Sequence, residues 1–219
     1  MQLMANKISN MGNLNKHQKR IINASKIANR CRRNWNYEEF DNLDLQTITA
    51  VATNMPTKQN KLNYELVVST NIHVNEKFYK VATAEDDRYV EYINGQVNAP
   101  LLYIWCHSPT VLKHMKSNHQ DPAIRNMAVG VSAGAAALAA TYLGYETGFC
   151  RCYDDKAVEK IIEESIGVEK LSPMLMLGVG NPKVDANNNI ADRSLCFLGG
   201  EHVQSAHKFP ATIKKIHYI

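Results

Sequence analysis

The chain has 219 residues, of which 45% are hydrophobic and 21% charged, and this composition is typical of a folded globular protein. It excludes an intrinsically disordered chain, and a chain of this length can bury enough apolar surface to fold without disulfides or a structural metal. The net charge of +4 is unevenly placed, because residues 1–37 contain eight Lys or Arg and no Asp or Glu. We therefore predict a flexible, basic N-terminal arm over residues 1–14 and a single folded domain over residues 15–219.

The first third of the chain contains two helical segments and one strand-like segment. Residues 15–31 have apolar side chains at helical spacing. Asp44 can cap a second helix that runs from about 45 to 54 and is ended by Pro56. Residues 64–70 are rich in β-branched and aromatic side chains, which predicts a strand.

The rest of the chain alternates between helical and strand-like segments. The charged segment 84–94 is predicted to be helical, and the continuous apolar run 101–106 predicts a buried strand. A further helix begins after Asp154 or Asp155, and a second buried strand is predicted over 174–180. Strands interleaved with helices favour a mixed α/β or α+β architecture.

One long segment, Met127–Tyr145, contains no charged residue. Its many Ala, Gly and hydroxyl side chains make it too weakly apolar for a membrane span, so we predict the central helix of a domain that does not enter a membrane. Gly130 and Gly134 would allow another backbone to approach this helix closely.

Cysteine usage indicates a reduced protein without a metal site. There are five cysteines, an odd number, no Cys-x-x-Cys pair, and no apolar signal sequence before them. Cys150 and Cys152 flank Arg151 but are too isolated to form a four-ligand zinc site. The expected location is therefore cytoplasmic.

Two features admit alternative functions. The run Gly130-Val131-Ser132-Ala133-Gly134 matches the nucleophile elbow of serine hydrolases, and acidic and histidine residues follow in that fold's order, namely Asp185 or Asp192 and then His202 or His207. The elbow requires a buried strand before the serine, whereas residues 121–127 look like a loop and a helix start. The basic arm, in turn, admits a non-enzymatic nucleic-acid-binding protein, although no recognised binding motif accompanies it. Both alternatives stay open at this point.

The remaining motifs occur in a definite order along the chain. There are five of them: an arginine-rich segment (Arg32–Asn36), a Pro-led polar loop (Pro56–Asn60), a Leu-Gly helix end with the segment after it (Leu143–Asp154), a Pro-led strand (Pro173–Gly180) and a late basic residue with its neighbours (Lys208–Pro210). This order resembles the FMN-dependent nitroreductase family over most of residues 18–212. Members of that family have an Arg-Arg-Ser loop, a Pro-Ser-x-x-Asn loop and an alanine-rich central helix ending in Leu-Gly.

The resemblance implies a fold, a cofactor and a reaction class. The implied fold is an α+β, three-layer sandwich in which a four- or five-stranded, mainly antiparallel sheet is flanked by helices, in an intertwined homodimer. The implied activity is FMN-dependent hydride transfer from NADH or NADPH, followed by reduction of a small-molecule electron acceptor such as a nitroaromatic or a quinone, in a ping-pong mechanism. Neither a membrane nor a nucleic acid is expected as a partner.

The resemblance also assigns a cofactor site. Arg32, Arg33 and Lys208 would bind the FMN phosphate, since guanidinium and ammonium groups suit a dianion. The backbone of Arg151 and Cys152 would donate to flavin N5, and no side chain is expected to be catalytic, because the flavin carries the chemistry. The full set of expected cofactor-binding residues is Arg32, Arg33, Asn34, Asn36, Pro56, Thr57, Lys58, Asn60, Arg151, Cys152 and Lys208, with the Pro56–Asn60 loop contributed by the other subunit.

The chain departs from the family pattern at several of these positions. Asn34 replaces the usual serine, and Asn36 stands where many members have a second basic residue. The segment Phe149–Cys152 replaces a Pro- and Gly-rich loop. These differences concern the identity of the acceptor more than the fold.

Overall fold

The computed structural model describes residues 14–28, 32–60, 64–85, 91–107, 121–184, 194–197 and 202–204. These ranges contain five helices, α1 (Lys16–Ala28), α2 (Asn42–Thr53), α3 (Ile72–Val81), α4 (Pro122–Leu143) and α5 (Asp155–Ile166). They also contain nine strands, β1 (Trp35–Asn36), β2 (Glu65–Ser69), β3 (Thr83–Glu85), β4 (Glu91–Ile93), β5 (Leu101–His107), β6 (Glu146–Cys150), β7 (Ser172–Pro182), β8 (Ser194–Phe197) and β9 (His202–Gln204). Two 3-10 turns lie at Lys58–Asn60 and Gly95–Val97.

The main sheet has five strands, and every pairing in it is antiparallel. The long strand β7 pairs with β1, β5 and β6, and β5 pairs with β2 on its other side. The predicted α+β class and the mainly antiparallel sheet of four or five strands are thereby confirmed. β5 and β7 are the two continuous apolar runs of the sequence, and they form the middle of this sheet.

Alternate residues of β5 pack into two different apolar clusters. Leu101, Tyr103 and Trp105 pack with α2 and with the alanines of α4. Leu102, Ile104 and Cys106 pack with Phe78 of α3 and with the apolar face of α5. Because side chains of a strand alternate between its two faces, both faces of the sheet are covered, which explains why its central strands lack a polar face. The three-layer description and the homodimer stay predictions.

A second, four-stranded antiparallel sheet follows the order β3-β4-β8-β9. It corrects the prediction of a helix over residues 84–94, because β3 and β4 pair directly, with Ala84 opposite Tyr92. β4 also pairs with β8, more than a hundred residues further along the chain. Such long-range pairing overrides local helix propensity and leaves no periodic trace in the segment itself.

Two helices begin earlier than the sequence indicates. α2 is capped by Asp41, whose carboxylate accepts from the N–H groups of Leu43 and Asp44 at 2.9 Å each. The predicted cap, Asp44, lies inside the helix and instead accepts a hydrogen bond from the Tyr145 hydroxyl at 2.8 Å. α4 begins at Pro122 after an Asp121 cap, because proline is well suited to the first helical position. The predicted cap of α5, Asp154, is confirmed.

α4 ends where Gly144 adopts the left-handed conformation, with φ of 115°. Within the described residues α4 is the one helix that is long and apolar enough to cross a membrane. A row of its alanines nevertheless lies in the core cluster with α2 and β5, as in the central helix of a globular domain. This agrees with the prediction of a central helix.

Candidate functional site

Arg32, the first residue of the arginine-rich segment, is buried and paired with an acid. Its Nε donates to Oε2 of Glu146, at the start of β6, and Arg32 is only 1% exposed. Its backbone N–H donates to the carbonyl of Thr147 at 2.8 Å. The segment after α1 is therefore held against β6 by an ion pair and a main-chain hydrogen bond, and Glu146 compensates the guanidinium charge.

The next residues of this segment lie at the edge of the main sheet. Arg33 and Asn34 are half-buried, and Asn36 pairs with Asn181 of β7. Nδ2 of Asn36 donates to Oε1 of Glu38 at 2.7 Å, and Asn181 donates to the other oxygen of Glu38 at 3.3 Å. The position that is basic in many nitroreductases thus holds an amide that binds a carboxylate.

Four backbone segments meet closely beside this ion pair. A Cβ at Gly148 of β6 would lie 2.3 Å from the carbonyl oxygen of Arg32, and a Cβ at Gly178 of β7 would lie 1.9 Å from that of Gln96. Neither position has room for a side chain, so glycine is required there for the approach itself. The segment around Gln96 is thereby packed directly on the sheet.

The loop that was expected to contact the flavin is shorter than the sequence indicates. Phe149 and Cys150 belong to β6, paired with β7, so only Arg151, Cys152 and Tyr153 separate β6 from the cap of α5. Arg151 and Cys152 are exposed. Within the described part of the chain, the backbone N–H groups of Cys152 and Tyr153 donate no hydrogen bond. The loop therefore offers main-chain donors at the surface.

The side chains of this loop are partly engaged. Arg151 makes a bidentate ion pair with Asp155, at 2.9 and 3.0 Å, and this hydrogen bonding raises the pKa of Arg151. Its guanidinium also lies 4.8 Å from the centre of the Tyr153 ring. The Cys150 thiol is buried and donates to the carbonyl of Cys152 at 3.5 Å. Burial, with smaller contributions from Glu65 and Glu159, raises the pKa of the neighbouring Cys106 thiol to about 12, so that thiol stays protonated.

Two polar residues under the loop were missed by the sequence analysis. Asn94 is 3% exposed, and its Nδ2 donates to the carbonyl of Cys152 at 3.4 Å. Gln96 is 4% exposed, and its Nε2 donates to the carbonyl of Phe149 at 3.2 Å. The available signal was an Asn-Gly-Gln triplet that ends four residues short of the buried strand β5, a place where polar residues indicate a turn as readily as a site.

Other predicted site residues lie elsewhere. Lys58 and Asn60 are exposed in the 3-10 turn after α2, with Pro56 exposed and Thr57 half-buried just before it. Asn60 has a left-handed backbone with φ of 53°. Lys208 lies outside the described residues, as do Asp185, Asp192 and His207. The roles of all these residues in cofactor binding stay predictions.

The serine-hydrolase alternative is wrong, because Ser132 is a core residue of α4. It is 0% exposed, its Oγ donates to the carbonyl of Ala52 at 2.7 Å, and it accepts from Trp105 Nε1 at 2.8 Å. A nucleophilic serine must stand on an exposed turn after a strand. In this chain Ser132 and Ala133 are instead part of the packing between α4, α2 and β5, while the two glycines of the run lie on the outer face of α4.

A cavity of about 540 Å³ lies beside β1, at the end of the main sheet. Among the described residues its lining includes two carboxylates and two aromatic rings but no Lys or Arg, and comprises Tyr37, Glu38, Glu39, Phe40, Asn42, Leu45, Thr70, Ile72 and Pro100. Burial and the nearby Glu76 raise the pKa of Tyr37. An acidic lining repels a phosphate dianion, so this cavity does not suit the phosphate end of FMN.

Comparison with known proteins identifies the fold. No family model and no curated protein matches the chain. Among solved structures, nitroreductase A from Vibrio parahaemolyticus is 15% identical, with a TM-score of 0.58 over 79% of this chain and 70% of that one. An FMN-dependent nitroreductase from Clostridium difficile is 18% identical, with a TM-score of 0.52 over 74% and 88%. A Staphylococcus epidermidis protein, described as an NAD(P)H:FMN oxidoreductase, is 14% identical, with a TM-score of 0.56 over 81% and 92%. The chain therefore has the nitroreductase-like fold.

Proposed function

We propose that the protein is an FMN-dependent oxidoreductase that takes hydride from NADH or NADPH and reduces a small organic acceptor, such as a nitroaromatic or a quinone, in a ping-pong reaction. The observation that carries the proposal is the loop Arg151–Tyr153 within a nitroreductase-like fold, where the main-chain N–H groups of Cys152 and Tyr153 donate no hydrogen bond to any described residue and are available to a ligand. FMN, when bound, accepts the hydride and passes the electrons on. The nucleic-acid-binding alternative is not favoured by the comparisons.

The residues of the loop fit one edge of a flavin ring. That edge carries nitrogen and oxygen acceptors, and fixed main-chain donors stabilise the charge that develops there without having to reorganise. The loop side chains are not needed for this role, since Arg151 is paired with Asp155 and no thiol has to react. The protein's part is to orient the ring and to hold donors at its edge.

The residues proposed for the phosphate end of FMN fit it less well than the loop fits the ring, because Arg32 already has a counterion. Arg33 is half-buried beside Arg32, and with Lys208 these residues are the proposed phosphate ligands. Because Glu146 compensates the charge of Arg32, we expect Arg32 to contribute less to phosphate binding than an uncompensated arginine would. Asn34 and Asn36 would add amide groups. The exposed loop Pro56–Asn60 would reach the flavin of the partner subunit.

We also propose that the functional unit is an intertwined homodimer formed through α4. Its outward face is uncharged, with Met127 62% exposed and Val131 43% exposed. Among the described residues, no atom lies within 4 Å of a Cβ added at Gly130 or Gly134 on the same face. A second copy can therefore approach this face closely and remove its apolar side chains from water, as in obligate interfaces that bury upwards of about 2,000 Å².

Anaerobic stopped-flow mixing tests the proposed reaction. Protein loaded with FMN is mixed with NADH or NADPH while flavin absorbance is followed, and a quinone is then added. We expect the absorbance to bleach and to return with the quinone, and steady-state rates should give parallel double-reciprocal lines. A loaded protein that neither nucleotide reduces would contradict the proposal.

A matched pair of variants at Cys152 tests whether the loop acts through its backbone. Cys152→Ala keeps the N–H and should be reduced like the parent protein. Cys152→Pro removes that donor and should be reduced more slowly. If the alanine variant fails while the proline variant is reduced normally, the thiol and not the backbone is responsible.

A further inference from the structure

We propose that Asn94 and Gln96 act together as positioning residues that fix the direction of the main-chain donors in the loop Arg151–Tyr153. The inference rests on the proposed function, because the direction of these donors matters to chemistry only if a flavin lies against them. It extends that function to two residues that the sequence analysis did not single out.

The side chain of Asn94 makes its hydrogen bonds outside its own turn, including one to the loop. It occupies the N-cap of the 3-10 turn Gly95–Val97, where asparagine is strongly preferred as a capping residue, yet its side chain makes no capping hydrogen bond. Nδ2 instead donates to the carbonyls of Ala82 at 3.1 Å and Cys152 at 3.4 Å. The backbone N–H of Asn94 also donates to Ala82 at 2.8 Å, so the residue is anchored before it reaches the loop.

Gln96 completes the connection and is coupled to Asn94. Its Nε2 donates both to Oδ1 of Asn94 and to the carbonyl of Phe149, each at 3.2 Å. Its backbone is packed against Gly178, where no side chain would fit, so the glutamine cannot move away from the sheet. Two buried amides that are bonded to each other thus hold one carbonyl at the end of β6, that of Phe149, and one in the loop, that of Cys152.

The two carbonyls, of Phe149 and Cys152, are three residues apart, and this short spacing restricts the peptide groups between them. The peptide group is planar, so holding a carbonyl inward turns the N–H of the same peptide outward. Between the anchored peptides lie only two others, which carry the N–H groups of Arg151 and Cys152. A short segment held at both ends has few alternative conformations, and the donors are fixed before any ligand arrives.

Four variants and one control test the inference. Asn94→Ala and Gln96→Ala each remove one amide, the double variant removes both, and Gln96→Glu keeps the size of the side chain but loses the donor. Asn75→Ala is the matched control: Asn75 is also fully buried, and its Nδ2 donates to a main-chain carbonyl, that of Ala99, at 2.8 Å. It bonds to no residue of the loop, and so it reports the cost of losing any buried asparagine.

The first measurement is amide hydrogen exchange of residues 149–154 in flavin-free protein. The informative amide is that of Asp154, which directly follows the loop and donates to the carbonyl of Val81 at 3.1 Å, because the N–H groups of Cys152 and Tyr153 have no hydrogen bond to a described residue that could be lost. Losing one amide hydrogen bond under the loop should speed exchange at Asp154 about tenfold. The double variant should match the single ones, because the two side chains act as a unit. Asn75→Ala should lower overall stability without this local effect. Exchange at Asp154 in Asn94→Ala and Gln96→Ala that is no faster than in Asn75→Ala would overturn the inference.

The second measurement is the midpoint potential of bound FMN, which a merely structural role would not shift. A misdirected donor stabilises the electron-rich ring less, and a tenfold loss lowers a two-electron potential by about 30 mV. We expect this fall in Asn94→Ala and in Gln96→Ala but not in Asn75→Ala. Equal potentials in all variants overturn the inference even if FMN binds. If the parent protein binds no FMN, the proposed function fails, and the exchange data alone still decide whether the two amides hold the loop. Should Asn94→Ala not fold, Gln96→Ala provides both readouts.

Discussion

Arg32 and Glu146 illustrate how one buried pair can serve both the fold and a ligand. Their positions are 114 residues apart, and their contact joins the segment after α1 to the first residue of β6. Taking two charges out of water is costly, and the cost is offset only while both partners are present. The pair therefore holds the arginine-rich segment in place, whatever it contributes to phosphate binding.

We predict that Glu146→Gln lowers the free energy of unfolding by about 3–5 kcal/mol, because it leaves the guanidinium of Arg32 buried without a counterion. Urea unfolding measures this change. Asp155→Asn is the control: it breaks the ion pair with Arg151, whose side chains are about half exposed, and such exposed pairs contribute only about 0–1 kcal/mol. Similar small losses in both variants would show that the buried pair is not a structural link.

A second residue-scale prediction concerns His107, at the end of β5. Burial, and then the nearby charge of Arg125, lower its pKa below 6.5 in the folded state. The unfolded chain therefore binds more protons than the folded one as the pH drops below about 6.5, so stability is lost in that range and levels off below the folded pKa. Thermal unfolding between pH 7.5 and 5 should show this loss, and His107→Gln should reduce it. An unchanged pH dependence in the variant would assign the effect to other groups.

At the scale of elements, the predictable strands were those with a simple apolar signal. β5 and β7 are continuous apolar runs, and a strand covered on both faces needs no alternating pattern. The sequence predicts a loop from Phe149 onward rather than the strand β6, because a charged residue, Glu146, and a glycine, Gly148, are not typical of a buried strand. Its burial depends on Arg32 and on close backbone contact, neither of which the local sequence can reveal.

The residues of the candidate site likewise fall into two groups, those that the sequence could identify and those that it could not. Arg32, Arg33, Arg151 and Cys152 could be named because a resemblance in motif order supplied their roles. Asn94 and Gln96 could not, since their importance comes from carbonyls more than fifty residues away that fold back over them. Hydrogen bonds to main-chain carbonyls leave no recognisable residue type on the acceptor side.

The contact between β6 and the arginine-rich segment gives an element-scale prediction. Gly148→Ala places a Cβ 2.3 Å from the carbonyl oxygen of Arg32, so the two segments must separate and stability should fall by about 1–3 kcal/mol or more. Lys156→Ala is the control, because Lys156 is exposed on α5 and such surface substitutions change stability by no more than about 0.5 kcal/mol. Denaturant unfolding of both variants checks the difference. A Gly148→Ala variant as stable as the parent would show that this contact is loose.

At the scale of the whole molecule, the uncharged face of α4 predicts the assembly. Light scattering at micromolar concentration should give twice the chain mass of 24.6 kDa. Val131→Glu should dissociate the dimer, because it buries a charge in an apolar interface. Val168→Glu is matched in exposure, 41% against 43%, but lies outside α4 and should leave the dimer intact. A stable, flavin-loaded monomer of the parent protein would contradict the assignment.

The whole account depends on the protein binding FMN at the loop between β6 and α5. The most direct test is the visible absorption spectrum of folded protein that has been incubated with FMN and freed of unbound flavin. We expect a yellow protein with about one flavin per chain. This flavin should be released on denaturation and should fluoresce as FMN. A folded protein that stays colourless after this treatment would contradict the central claim.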